Sequence, residues 1–263
     1  MPLAITGNPA QVAAAIDGFP ATYHADFFRV RPRGRAYATT PVSNAAAMAL
    51  AQPLRDVLLS WGAGTRKAPM VRSLTEIEST LAAAPVHTAL RALHDLPLSK
   101  ISVSYNRRSF LAIPTTQAAL DSFDTNLFVA LHALAKGLFI ANTNATYPLK
   151  AALLITGLMP AFDSRVRRGL QRGGFGGTNK TQFVLPGNAN CPDGKKIASL
   201  LFLLGECWLA YSNQINAGIS SSNYRELLDE PGRFFDVLLF MQGDSNNPVL
   251  VSYHGSQRWY ALR

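Results

Sequence analysis

Cysteine is nearly absent from this chain of 263 residues, which carries two, Cys191 and Cys207. Two thiols cannot by themselves complete a tetrahedral zinc site or hold an iron–sulfur cluster, and they cannot staple a disulfide scaffold. They read as buried or free cysteines of a reducing compartment. Long apolar runs are missing too. The longest, Ile197 to Leu204, is broken by Ser199 and falls far short of the ~20 residues that span a bilayer. Met1 to Ala21 lacks the basic start and apolar stretch of a signal peptide. The expectation is a cytoplasmic protein without membrane attachment. The histidines His24, His87, His94, His132 and His254 are scattered, with no partner set at metal-ligand spacing, so no metal or other cofactor is expected.

Charge is scarce, at 16% of residues, and acidic charge is scarcer: 25 Lys and Arg stand against 16 Asp and Glu, a net charge of +9. An excess drawn from so few ionisable groups concentrates on one face. Such a face suits a polyanion, nucleic acid before anionic lipid, through phosphate neutralisation and counterion release. With 48% hydrophobic residues the chain is globular, and at this length it buries roughly 70–75% of its unfolded surface.

Apolar residues recur mostly at helical spacing. Asn8-Pro9 starts a short helix carrying Val12, Ala15 and Ile16. From Tyr23 to Tyr37, Arg29, Arg31, Arg33 and Arg35 alternate through Pro32 and Gly34; an extended segment with this period of two puts all four arginines on one side. Further helices are predicted over Ser43–Trp61, Ser73–Ala84 with a Ser73/Glu76 capping box, His87–Leu96, Thr116–Phe139, Tyr147–Leu158, Ser164–Arg172, Lys195–Ile215, Tyr224–Leu228 and Arg233–Met241. Ile101 to Ile113 reads as a loop or short strand interrupted at Asn106-Arg107-Arg108, and Val249–Tyr253 pairs with Arg258–Leu262 as a small terminal β-hairpin.

The sum is a mainly α protein, one globular unit over 1–263, with two lobes: 1–115 joined by 195–263, and 116–194. The Gly173–Gly177 run, followed by Thr178-Asn179-Lys180, lacks the Gly-Lys-Ser/Thr ending of a nucleotide-binding P-loop, and no clear strand precedes it. An NTPase is therefore not expected.

The most informative segment, Tyr147 to Arg172, reads YPLKAALLITGLMPAFDSRVRRGLQR. An apolar helix leads through Pro160 to a carboxylate at Asp163 and then to a basic helix. Asp163 there is also an ordinary helix cap. The run Asp163, Ser164, Val166 and Arg168 resembles the aspartate motif of the helix-hairpin-helix DNA glycosylases, over some 25 residues. The resemblance implies two helical lobes with a basic cleft between them. It also implies a hydrolase that flips a base out of DNA and breaks its N-glycosidic bond, leaving an abasic site.

In that reading Asp163 is the catalytic carboxylate. Lys150, 13 positions before it, matches in kind the lysine with which strand-cutting members attack the sugar, although a monofunctional enzyme is preferred. The hairpin turn that donates to phosphate falls on Asn142-Thr143-Asn144-Ala145-Thr146, where Asn142, Asn144 and Thr146 replace glycine. Arg165, Arg167, Arg168 and Arg172, with Arg66 and Lys67, complete the proposed DNA contact. Tyr105 with Asn106, Tyr147 and Trp61 are candidates for the base pocket, and Trp208 with Tyr211 are weaker ones. Some bacterial members of the family act in phage defence on modified cytosine, including glucosylated hydroxymethylcytosine, and the divergent hairpin places this chain nearer to them. The alternative is a non-catalytic nucleic-acid-binding protein that uses the same basic helical face.

Overall fold

A computed structural model describes residues 2–65, 68–140, 146–178, 192–255 and 262. The chain runs β1 (Leu3–Ile5), α1 (Pro9–Gly18), α2 (Ala21–Thr39), α3 (Asn44–Ser60), β2 (Met70–Val71), α4 (Leu74–Ala82), α5 (Ala84–His94), β3 (Ile101–Ser104), β4 (Arg107–Phe110), α6 (Gln117–Leu138) and β5 (Phe139–Ile140). It continues through α7 (Thr146–Thr156), α8 (Ser164–Arg172), α9 (Pro192–Ala210), α10 (Ser212–Ser220), α11 (Pro231–Gln242) and β6 (Val251–Tyr253), with short 3-10 turns at Leu98–Lys100 and Arg225–Asp229. The protein is mainly α. Among the described residues no helix is long and apolar enough to cross a membrane.

Local signals set the helix ends. Asn8 accepts from the Gln11 amide while the Gln11 side chain accepts from the Asn8 amide, and Ser73 and Glu76 make the same reciprocal box before α4. Thr116 caps α6, and Asp163 caps α8. The apolar helix expected over Lys195–Ile215 divides at Tyr211 into α9 and α10.

One expectation is overturned. Tyr23 to Tyr37 is not extended but lies within α2, whose buried positions Phe27, Val30, Arg31, Gly34, Tyr37 and Ala38 follow the helical period. Pro32 sits at an exposed position of that helix. Gly34 lets α2 lie against α7, because a Cβ there would stand 2.5 Å from the Leu154 carbonyl oxygen. On a helix, residues two apart point to nearly opposite sides, so the four arginines share no single face: Arg31 and Arg35 both reach Glu230, and Arg29 and Arg33 lie on the other side. Arg31 is buried against Glu230, while Arg29, Arg33 and Arg35 are exposed.

The strand expected within Val249–Tyr253 forms over Val251–Tyr253. Val251–Tyr253 pairs antiparallel with the N-terminal strand, in the register Leu3↔Tyr253 and Ile5↔Val251; residues 258–261 lie outside the described residues. The alternation in Val249–Tyr253 marked a strand correctly but could not name a partner more than two hundred residues away.

Two further ladders are short. In β2–β5, Met70 faces Ile140 and Val71 faces Phe139. The β3–β4 hairpin turns at Tyr105 and Asn106, with φ of 48° and 60°, as a two-residue hairpin turn requires. Among the described residues most buried apolar side chains join one cluster. Helix α7 runs through it, with Leu149 and Ala151 to Ile155 fully buried, and delivers the chain to the Asp163 turn. Helix α8 lies on α11 across Gly169, where a Cβ would collide with the Leu239 carbonyl.

Candidate functional site

Asp163 stands at the turn between α7 and α8. Its Oδ1 accepts from the amides of Arg165 and Val166, each at 2.9 Å, which satisfies two of the donors that a helix N-terminus leaves without partners. Among the described residues no group donates to Oδ2, so one oxygen fixes the helix and the other remains available. Phe162, immediately before, holds φ at +44° with its ring fully buried.

Lys150, on the second turn of α7, faces the same place. Its Nζ donates to the Trp61 carbonyl at 3.2 Å and lies over the Trp61 and Tyr147 rings, 5.7 and 4.9 Å from their centroids. Burial pushes the Lys150 ammonium below its ordinary range; Asp163 and Asp236 oppose that shift and Arg233 adds to it. Trp61 is fixed in turn by its indole N–H, which donates to Asp26 at 3.1 Å.

Two charged residues that the sequence reading passed over complete the site. Arg233 and Asp236, one turn apart on α11, make a buried ion pair at 2.6 Å. The second guanidinium nitrogen of Arg233 donates to the Tyr23 carbonyl at 2.9 Å, and the group lies over Phe19, Phe27 and Trp61. Asp236 Oδ1 accepts from the Ala161 amide at 2.8 Å. Burial raises the Asp236 carboxyl above the usual carboxylate range, with Arg233 pulling the other way. The signal was present in the sequence: an Arg and an Asp at i, i+3 inside PGRFFDVLLFMQ, an otherwise apolar helix, where a charge persists only if paired.

Lys150, Asp163, Arg233 and Asp236 line one cavity of about 40 Å³, walled by Phe19, Tyr23, Trp61 and Phe240. That volume admits water and no nucleobase.

The other expected residues divide. Tyr147 and Trp61 come to this place, 8% and 5% exposed. Tyr105 and Asn106 do not: Tyr105 is 98% exposed at the tip of β3–β4 and borders a separate groove of about 610 Å³ with Arg107 and Thr116. Neither lines the cavity at Asp163. Trp208 is core, packed on Phe234 and Phe235 at 5.5 and 6.4 Å between centroids.

On α8, Arg165 pairs with Asp244 at 2.6 Å and lies over the Phe240 ring, and Arg172 donates to the carbonyls of Gln242, Asp244 and Asn247. These two arginines bind α8 to the end of α11, so the helix does not offer four free cations; Arg168 is exposed and Arg167 half-buried. Thr146 is the first residue of α7. Asn142, Asn144, Arg66 and Lys67 lie outside the described residues. Compared with family models, curated proteins and solved structures, the chain matches none.

Proposed function

We propose that the protein is a monofunctional DNA glycosylase of helix-hairpin-helix type, with two helical lobes, a basic cleft between them, and Asp163 as its catalytic carboxylate. The observation that carries this reading is the meeting of Asp163 and Lys150 at one water-sized cavity, where no group among the described residues donates to the second Asp163 oxygen. Cleavage of an N-glycosidic bond sends the bonding electron pair out with the base and leaves positive charge on the sugar carbon. A fixed carboxylate beside that carbon stabilises the charge, and a water in the cavity supplies the oxygen that replaces the base. Lys150 contributes a cation beside the carboxylates and the phosphate backbone. A cavity of about 40 Å³ is too small for a base, so this reading requires the site to widen to admit the flipped nucleotide.

Modified cytosine of the phage type is the substrate class proposed. The test is incubation with duplexes carrying natural and phage-type modified bases, followed by alkali or an abasic-site endonuclease and strand sizing. Alkali-dependent cuts that vanish in Asp163→Asn are expected. Cuts without alkali transfer the role of nucleophile to Lys150. Salt-sensitive binding with no cut on any duplex replaces this reading with the non-catalytic one, in which Asp163 only caps α8.

A further inference from the structure

We propose that Asp236 is a positioning residue for Asp163, acting through the Ala161 amide, and that Arg233 is the cation that keeps Asp236 in place. The effect on catalysis rests on the glycosylase reading; the positioning itself does not.

The geometry runs in one line. Asp163 gets its direction from a short connection between two helices, in which Phe162 holds a left-handed φ of +44°. A bulky residue in that conformation is strained, so neighbouring contacts hold it. On the far side of Phe162 the α8 cap supplies two of them, through the Asp163 carboxylate. On the near side the contact is the Ala161 N–H to Asp236 Oδ1 hydrogen bond, at 2.8 Å. It ties the connection to α11, 75 residues away in sequence.

Asp236 cannot wander, because its other oxygen meets Arg233 at 2.6 Å, and Arg233 is fixed by the Tyr23 carbonyl and three aromatic faces. Both side chains of the pair are almost entirely buried, 2% and 6% exposed. A buried ion pair is a poor source of stability relative to apolar residues of the same shape. Its presence beside the Asp163 turn is accounted for by the acceptor that it presents to Ala161.

Single substitutions would leave a buried charge without its partner and unfold the chain, so two double variants are compared. Arg233→Met with Asp236→Asn removes both charges and keeps an oxygen acceptor for the Ala161 amide. Arg233→Met with Asp236→Leu removes the charges and the acceptor together. Replacing a whole buried pair is often neutral for folding, which makes both variants measurable.

Two readouts are taken. The first is the amide NMR signals of Arg165 and Val166, which report the Asp163 cap and need no substrate. The second is kcat and KM on the duplex that the wild type cuts. The asparagine variant is expected to keep the capped amide signals and to retain a higher kcat than the leucine variant. The leucine variant is expected to shift both signals and lose about 100-fold in kcat at unchanged KM, the scale of a small misplacement. Identical cap signals in the two variants overturn the positioning role. A wild type that cuts no duplex overturns the glycosylase reading alone, because the amide signals still decide this one.

Discussion

Lys150 Nζ donates to the carbonyl oxygen of Trp61 at 3.2 Å, joining the start of α7 to the residue that ends α3. The contact holds an ammonium in a place from which water is largely excluded. Burial alone lowers its proton affinity, and the carboxylates of Asp163 and Asp236 restore part of it. In the wild type, Lys150 therefore titrates below the ordinary lysine range. In Asp163→Asn, which deletes one of the two restoring charges, it titrates lower still. Side-chain NMR of ¹³Cε-labelled lysine follows this directly, and an unchanged or upward titration in the variant would place Asp163 too far away to act with Lys150.

Asp163 caps α8, and one substitution separates that role from the proposed catalytic one. Asparagine accepts at a helix N-cap as well as aspartate does, whereas alanine forfeits about 1 kcal/mol. Asp163→Asn is therefore expected to melt within about 0.5 kcal/mol of wild type while excision falls by at least about 100-fold. Asp163→Ala should lose both stability and activity. An Asp163→Asn protein that cleaves normally would reduce Asp163 to a cap.

The sequence showed the helices and the turn at Asp163 because these depend on neighbours: capping pairs such as Asn8 with Gln11, and apolar residues at three- and four-residue intervals. It showed less where a partner is distant. Arg29 to Arg35 alternate along the chain through Pro32 and Gly34, a period of two that matches an extended segment. What makes that stretch a helix is burial of Phe27, Val30 and Tyr37 together with the ion pair of Arg31 to Glu230, 199 residues away. The strand Val251–Tyr253 was visible, but its partner Leu3–Ile5 was not. At the candidate site, Lys150, Asp163, Trp61 and Tyr147 were legible because one apolar helix and one motif carry most of them. Arg233 and Asp236 were not, since their meaning lies in the Ala161 amide and the Tyr23 carbonyl that they reach.

Helix α8 is held close to α11 by the lack of a side chain at Gly169, where an added Cβ would run into the Leu239 carbonyl. Backbone cannot yield as a flexible side chain does, so Gly169→Ala must push the helices apart. An overpacking cost of about 1–3 kcal/mol is expected, with a loss of excision as the Asp163 turn moves with α8. Denaturant melting beside an activity assay checks both. A variant as stable and as active as wild type would mean that the two helices can separate at no cost.

His24 makes stability depend on pH. Its ring is fully buried, stacked on Tyr224 at 3.7 Å between centroids, with Nε2 3.2 Å from the Ile16 carbonyl. Nδ1 is buried without a hydrogen-bond partner, so a second proton would have nothing to donate to. Burial, with Arg233 adding to it, lowers the pKa from 6.5 to about 4. In the unfolded chain the ring takes up its proton near pH 6.5, so between pH 6.5 and 4 the unfolded state binds more protons than the folded one. This contribution to stability is complete above pH 6.5, declines as the pH falls, and is gone below pH 4. The slope is about 1.4 kcal/mol per pH unit and the total about 3 kcal/mol. Urea denaturation at pH 7.5 and 4.5 should show wild type losing more stability than His24→Gln, which has no proton to take up. Equal losses in the two proteins would show that the imidazole accepts its proton in the folded state as easily as in the unfolded one.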